Sequence, residues 1–161
     1  MSDQPKTDSG RVFLVVIDET EELGAALRFA CLRARRTGGR VALLFVMQPA
    51  EFQHWMAVGD LMREEQRETA EQLLHKWSGV VNQLTGQMPV VYVREGDPKQ
   101  ELAAVIDEET SISVLVLGAG TGAEGPGPLV THFVNKMAGG LRIPITVVPG
   151  SLTDEQIDAI A

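Results

Sequence analysis

The sequence has 161 residues, 44% of them apolar and 22% charged, proportions that fit one globular domain with a packed core and exclude a disordered or fibrous chain. A net charge of −8 and a pI of about 4.8 oppose nucleic-acid binding, which relies on Lys and Arg neutralising phosphates. The longest apolar run, residues 41–47, falls well short of the roughly 20 residues that span a bilayer, so neither nucleic acid nor membrane is expected as a partner.

The one cysteine, Cys31, has no partner for an internal disulfide and sits on the apolar side of a predicted helix, where a thiol behaves as a small hydrophobe. This suits a reducing compartment. The stretch 1–10 is polar and without period, so a flexible tail is expected there. It lacks the basic-then-apolar order of a signal peptide, and a cytoplasmic location is expected.

Five apolar runs rich in β-branched residues fall at 12–17, 41–47, 90–93, 112–117 and 143–148. Strands covered on both faces read as unbroken apolar runs, and their alternation with helical patterns predicts a parallel sheet between two helical layers. The first helix is marked by Leu23, Ala26, Leu27, Ala30, Cys31 and Ala34. Its basic last turn, with Arg33, Arg35 and Arg36, suits the negative end of the helix dipole, and Gly38 and Gly39 end it. The second helix runs over about 61–84, with Ala70, Leu73, Leu74, Trp77, Val81 and Leu84 as its stripe. Asp97 as N-cap, Pro98 at N1 and Gln100 at N3 start the third. Leu129, Val130, Phe133, Val134, Met137 and Leu141 form the stripe of the fourth. No repeat or linker interrupts the pattern.

The end of the chain carries its own helix signal. Thr153 and Gln156 form a capping box, Leu152 and Ile157 a hydrophobic staple, and Asp154 and Glu155 lie where the dipole favours negative charge. A helix this short is marginal alone. Ile157, Ile160 and Ala161 therefore need an apolar surface, on the same domain or on a dimer mate.

In an open parallel sheet, ligands bind beyond the carboxyl ends of the strands, where strand order reverses. Asp18, the segment after Met47 and the loop after Leu117 lie at such ends. The loop is the richest, with Gly118, Gly120, Gly122, Gly125 and Gly127 between a strand and a helix. Glycines allow backbone amides close to a ligand and a helix N-terminus favours an anion, so phosphate is the natural guest; the same glycines also serve as turn formers. The Gly-Lys-Ser/Thr ending of a Walker loop is missing. Asp18 either accepts hydrogen bonds from a ribose or adenine amine, or caps the next helix with Glu21. The segment 48–59, with Phe52, Trp55 and Met56, either forms a mobile flap over the site or packs these side chains away. His54, His75 and His132 show no metal-ligand spacing. Glu64, Glu65, Glu68 and Glu71 read as a solvated helix face.

Taken in order, these segments resemble the universal stress protein family. Val15, Val16, Ile17 and Asp18, with Ala26, Leu27 and Ala30 behind them, are similar to its first strand and helix. Leu44, Phe45 and Val46 resemble the end of its second strand, with Phe45 where His is usual. Glu95, Gly96, Asp97 and Pro98 resemble its turn into the third helix. Residues 114–118 and 144–148 resemble its fourth and fifth strands.

The resemblance implies an α/β fold. This is a three-layer, doubly wound, five-stranded parallel sheet in order 3-2-1-4-5, of the adenine-nucleotide alpha hydrolase-like kind. It divides the chain into a tail at 1–10, a universal stress protein domain at 11–150 and a helical extension at 151–161. It implies a stress-response role and a homodimer through the fifth strand, whose apolar edge invites pairing. Some members bind ATP through Gly-x-x-Gly followed further on by Gly-Ser or Gly-Thr. Here Gly118 matches the first position, Thr121 stands for the second glycine, Thr131 and His132 for the final pair, and Glu19 and Thr20 for a Gly-Ser after Asp18. A Cβ at 121 or 131 blocks close backbone approach and Glu19 adds negative charge, whereas Gly120 and Gly122 can shift the loop and Thr131 and His132 keep donors. The implied site for ATP or a related adenine nucleotide is Asp18, Val46, Gly118, Gly120, Gly122, Thr131 and His132. It has no dedicated metal site.

Two functions follow: a nucleotide-responsive regulatory module, or a scaffold of the non-binding branch that acts through an unspecified protein partner. An enzyme, for instance a slow nucleotide hydrolase, lacks an identifiable base, nucleophile or metal set, and no catalytic residue is assigned.

Overall fold

The computed structural model describes residues 10–49 and 56–161. Residues 1–9 of the expected tail and 50–55 of the expected flap lie outside them. The chain runs β1 (Val12–Val16), α1 (Leu23–Thr37), β2 (Arg40–Met47), α2 (Met56–Thr85), β3 (Val90–Glu95), α3 (Pro98–Glu108), β4 (Ile112–Ala119), α4 (Pro128–His132), β5 (Ile145–Pro149) and α5 (Asp154–Ile160). All strand pairs are parallel and the order is β3-β2-β1-β4-β5, the doubly wound sheet expected.

Side chains alternate across a strand, so each apolar run feeds two cores. Phe13, Val15, Ile17, Val41, Leu43, Val116 and Val148 pack under α1 and α2. Leu14, Ala42, Leu44, Leu115 and Leu117 pack on the other face against Leu102, Val105 and Ile106 of α3 and Val130 of α4. Burial pushes the Cys31 thiol up to about 12, which leaves it inert in the first core.

Two expectations need correction. The run at 90–93 predicts burial on both faces, yet Val91 and Val93 are 41% and 45% exposed. β3 is an edge strand, and α2 packs mainly on α1 and β2, meeting β3 through the Arg63–Glu95 ion pair at 3.5 Å. The fourth helix was expected to bury Val134 in a continuous stripe. Its α-helical part ends at His132, and Phe133–Met137 form a π-helical turn. The wider turn offsets the helical register; Phe133 is fully buried and Val134 is 42% exposed.

Ends and connections are held by polar contacts. The Asp97 carboxylate accepts from the amides of Lys99 and Gln100 at 2.9 and 3.2 Å and so caps α3. At the other end of α3, the Arg142 guanidinium donates to the carbonyls of Ile106, Glu109 and Ile112 at 2.7, 3.2 and 3.1 Å. A cation there matches the dipole and satisfies orphan carbonyls.

α5 docks on α1. The Thr153 hydroxyl and the Gln156 side chain form the capping box. Ile157 is fully buried against Leu32, with Phe29, Ala25 and Leu152 around it. Arg28 grips Asp158 through two hydrogen bonds of 2.8 and 3.0 Å. Arg36, read from the sequence as serving its own helix, instead donates to the Asp158 and Ala161 carbonyls of α5.

This latch has a pH signature. The hydrogen bond from Arg28 holds the Asp158 carboxyl below its ordinary value. A depressed folded-state pKa gives stability that is complete above the unfolded value and is lost as pH falls through the folded one. The urea midpoint of the protein should therefore exceed that of Asp158→Asn by a constant amount from pH 7 to 5, and the difference should close below pH ~4. A difference unchanged down to pH 3 would contradict it.

Candidate functional site

β1 pairs with β2 on one side and β4 on the other, so the chain leaves its carboxyl end where the helical layers diverge. The Ile17 amide donates to the Leu44 carbonyl at 2.7 Å, one step beyond the strand, and sets Asp18 at the crevice. A cavity of about 710 Å³ opens there. Its sheet-side wall comes from Val15, Ile17, Phe45, Val46, Val116 and Gly118, and its sides from Leu23 and Ala26 of α1 and Leu129 and Val130 of α4. α2 closes it with Met62, Gln66, Thr69 and Leu73. An apolar cleft with a few polar groups at a topological switch point is the usual form of a small-molecule site.

A second, outer cavity lies over the glycine-rich loop. It is lined by Gly120, Thr121, Gly122, Glu124, Thr131, His132 and Lys136, with Lys99 on its far wall. The seven expected site residues therefore divide. Asp18, Val46 and Gly118 line the inner cavity, and Gly120, Gly122, Thr131 and His132 the outer one. Glu19, Thr20, Glu22, Gly127 and Pro128 line both and mark the boundary between them.

Of the two roles open to Asp18, capping of α1 is not the one adopted. α1 begins after Glu22 with no side-chain cap. Asp18 Oδ1 accepts from the amide of Thr20 at 3.0 Å and from its hydroxyl, so the carboxylate shapes the turn into α1, and the residue lines the cavity.

The loop glycines also serve different ends. A Cβ on Gly118 would lie 2.5 Å from the Glu22 carbonyl oxygen, and one on Gly150 would lie 2.8 Å from Glu22 Cβ. These two positions are bare because the first turn of α1 presses on the ends of β4 and β5. Gly122 has nothing within 4 Å. The loop is closed on itself: the Gly120 amide donates to Pro126, and Gly125 to Gly122, at 3.0 and 3.2 Å. Gly127, at φ 110°, delivers the chain into Pro128 and α4.

The sequence reading missed Glu22 and the α2 wall. Met62, Gln66, Thr69 and Leu73 do recur at helical spacing, but half of that stripe is polar and reads as solvated. Glu65, assigned to the exposed face, is exposed and yet lines the cavity rim. Among the described residues, no three His, Cys, Asp or Glu side chains gather as metal ligands, and no helix is long and apolar enough to cross a membrane.

A doubly wound α/β sheet with a cleft at its switch point is the architecture in which open parallel sheets place small-ligand sites. The sequence model of the universal stress protein family matches residues 11–149, and the chain belongs to that family. No curated protein sequence matches it. Among solved structures, the universal stress protein UspA from Lactobacillus plantarum is similar, with a TM-score of 0.73 at 16% identity, over 86% of this chain and 97% of that one. A universal stress protein from Archaeoglobus fulgidus in complex with dAMP gives 0.61 at 15% identity, over 86% and 97%. A universal stress protein in complex with cAMP gives 0.61 at 14%, over 87% and 97%. At these identities the likeness is one of fold.

The contrast between glycines is testable. Gly118→Ala should destabilise the protein by about 2 kcal/mol, because its methyl meets backbone that cannot move alone. Gly122→Ala should change stability by less than about 0.5 kcal/mol. Urea denaturation of both variants checks the pair; equal effects would remove the distinction.

Proposed function

We propose that the protein is a non-catalytic regulatory module of the stress response, acting in the cytoplasm, whose switch-point cleft takes an adenine nucleotide or nucleoside. The observation that carries this reading is the 710 Å³ cavity lined by Asp18, Val46 and Gly118. Its volume suits a heteroaromatic base and sugar. Phe45, Leu129 and Leu73 offer apolar surface for the base, and Asp18 Oδ2 offers an acceptor for ribose hydroxyls or an adenine amine. The related folds solved with dAMP and cAMP support the ligand class.

Among the described residues that line the cavities no arrangement of nucleophile and base is identified, and ligand occupancy is the output of such a module. Its homodimer forms through β5, which pairs only with β4 and exposes Val147 at 37%. A scaffold acting through a partner protein is the competing function.

Calorimetric titration with adenosine and its phosphates should show one saturable site per chain, and Asp18→Ala should weaken binding about tenfold. No phosphate should be released over hours. Absence of binding by every adenine compound would favour the scaffold. Sedimentation at micromolar concentration should give a dimer; a monomer would count against pairing through β5.

A further inference from the structure

The charged residues of the two cavities are distributed unevenly. Among the described residues, the inner cavity is lined by the carboxylates of Asp18, Glu19, Glu22 and Glu65 and by no Lys, Arg or His. The cations, Lys99 and Lys136, lie only in the outer cavity together with His132, and there they share the wall with Glu19, Glu21, Glu22 and Glu124. A ligand seated in the inner cavity that extends toward those cations meets the residues shared by both linings, and two of these are Glu19 and Glu22.

Glu22 is held there by the fold. Its carbonyl oxygen abuts Gly118 and its Cβ abuts Gly150, and the same carbonyl accepts the Ala26 amide at 3.2 Å in the first turn of α1. Its Oε1 lies 3.5 Å from where a Cβ on Gly120 would stand, so the carboxylate is aimed at the glycine loop. Among the described residues no Lys, Arg or His pairs with it. Several amides of the loop and its flanks are already used. Gly120 donates to Pro126, Gly125 to Gly122, Thr131 to Gly127 and Gly150 to Ala119. The place where backbone donors would cradle a phosphate chain therefore presents a carboxylate, with these four donors already engaged.

We propose that Glu22, helped by Glu19, is a specificity-determining residue that excludes polyphosphates, so that the ligand of this pocket is an uncharged purine nucleoside. The inference rests on the adenine-ligand reading and narrows it. A phosphate brought beside the half-buried Glu22 carboxylate is repelled more strongly than in bulk solvent. An uncharged nucleoside escapes this cost, and Asp18 at the cavity wall stays open to it as an acceptor for hydroxyl and amine hydrogens. Specificity arises here from the repulsive element as much as from the attractive one.

The test is calorimetric titration of the full chain with adenosine, AMP and ATP, each in EDTA and in Mg²⁺. Affinity should fall in that order, with ATP at least about tenfold weaker than adenosine in both conditions. Glu22→Gln should raise ATP affinity about tenfold while moving adenosine less than about twofold, and Glu19→Gln, at an exposed turn, should move ATP in the same direction. Added salt should narrow the gap between ATP and adenosine for the parent protein, a response that a purely steric Glu22 would not give. ATP binding as tightly as adenosine in either condition, or a ratio unmoved by both variants, overturns the proposal and leaves the adenine site standing. No binding of any of the three overturns the site and the proposal together.

Discussion

The pairing of β1 with two parallel neighbours is the constraint on which the rest of the molecule depends. Leu14 is fully buried and Phe13 and Val15 nearly so, because β1 lies at the centre of the sheet and faces a helical layer on each side. A central strand whose partners lead away in opposite directions leaves a crevice at its carboxyl end. The apolar cavity, Asp18 and the start of the glycine loop all follow from that one arrangement.

The second consequence is crowding. For α1 to cover β1, β4 and β5, its first turn must come down onto the ends of β4 and β5, and it does so at Gly118 and Gly150. The glycine at 118 is thus required by helix-to-sheet packing before any ligand is considered. The same approach fixes the backbone of Glu22 and aims its carboxylate at the loop. Packing and charge at the site are therefore coupled: the residue that seats the helix also brings its carboxylate to the glycine loop.

α5 uses the opposite side of α1. Its apolar contact is small, centred on Ile157 against Leu32, and two arginines reinforce it by gripping Asp158 and the terminal carbonyls. Such exposed ion pairs are individually weak; here they act where a short helix has little propensity to persist alone. α1 therefore works as a two-sided beam, with its buried face on the sheet and its Arg28 and Arg36 edge holding the end of the chain.

The sequence alone determined the layer architecture, because alternating apolar runs and helical stripes have only one economical packing, and the strand order followed from the resemblance to the family. It also determined the caps at Asp97 and Thr153, since capping is a matter of a few adjacent residues. The tertiary structure decided what depends on distance across the sheet. Gly118 and Gly150 are far apart in the chain, and nothing local reveals that both press on Glu22. Val91 and Val93 read as buried until α2 is seen to pass over β2. Asp18, Val46 and Gly118 on one side, and Gly120, Gly122, Thr131 and His132 on the other, read as one site. Only the folded loop, closed by its own hydrogen bonds, separates them into two cavities that share Glu19 and Glu22 in their linings.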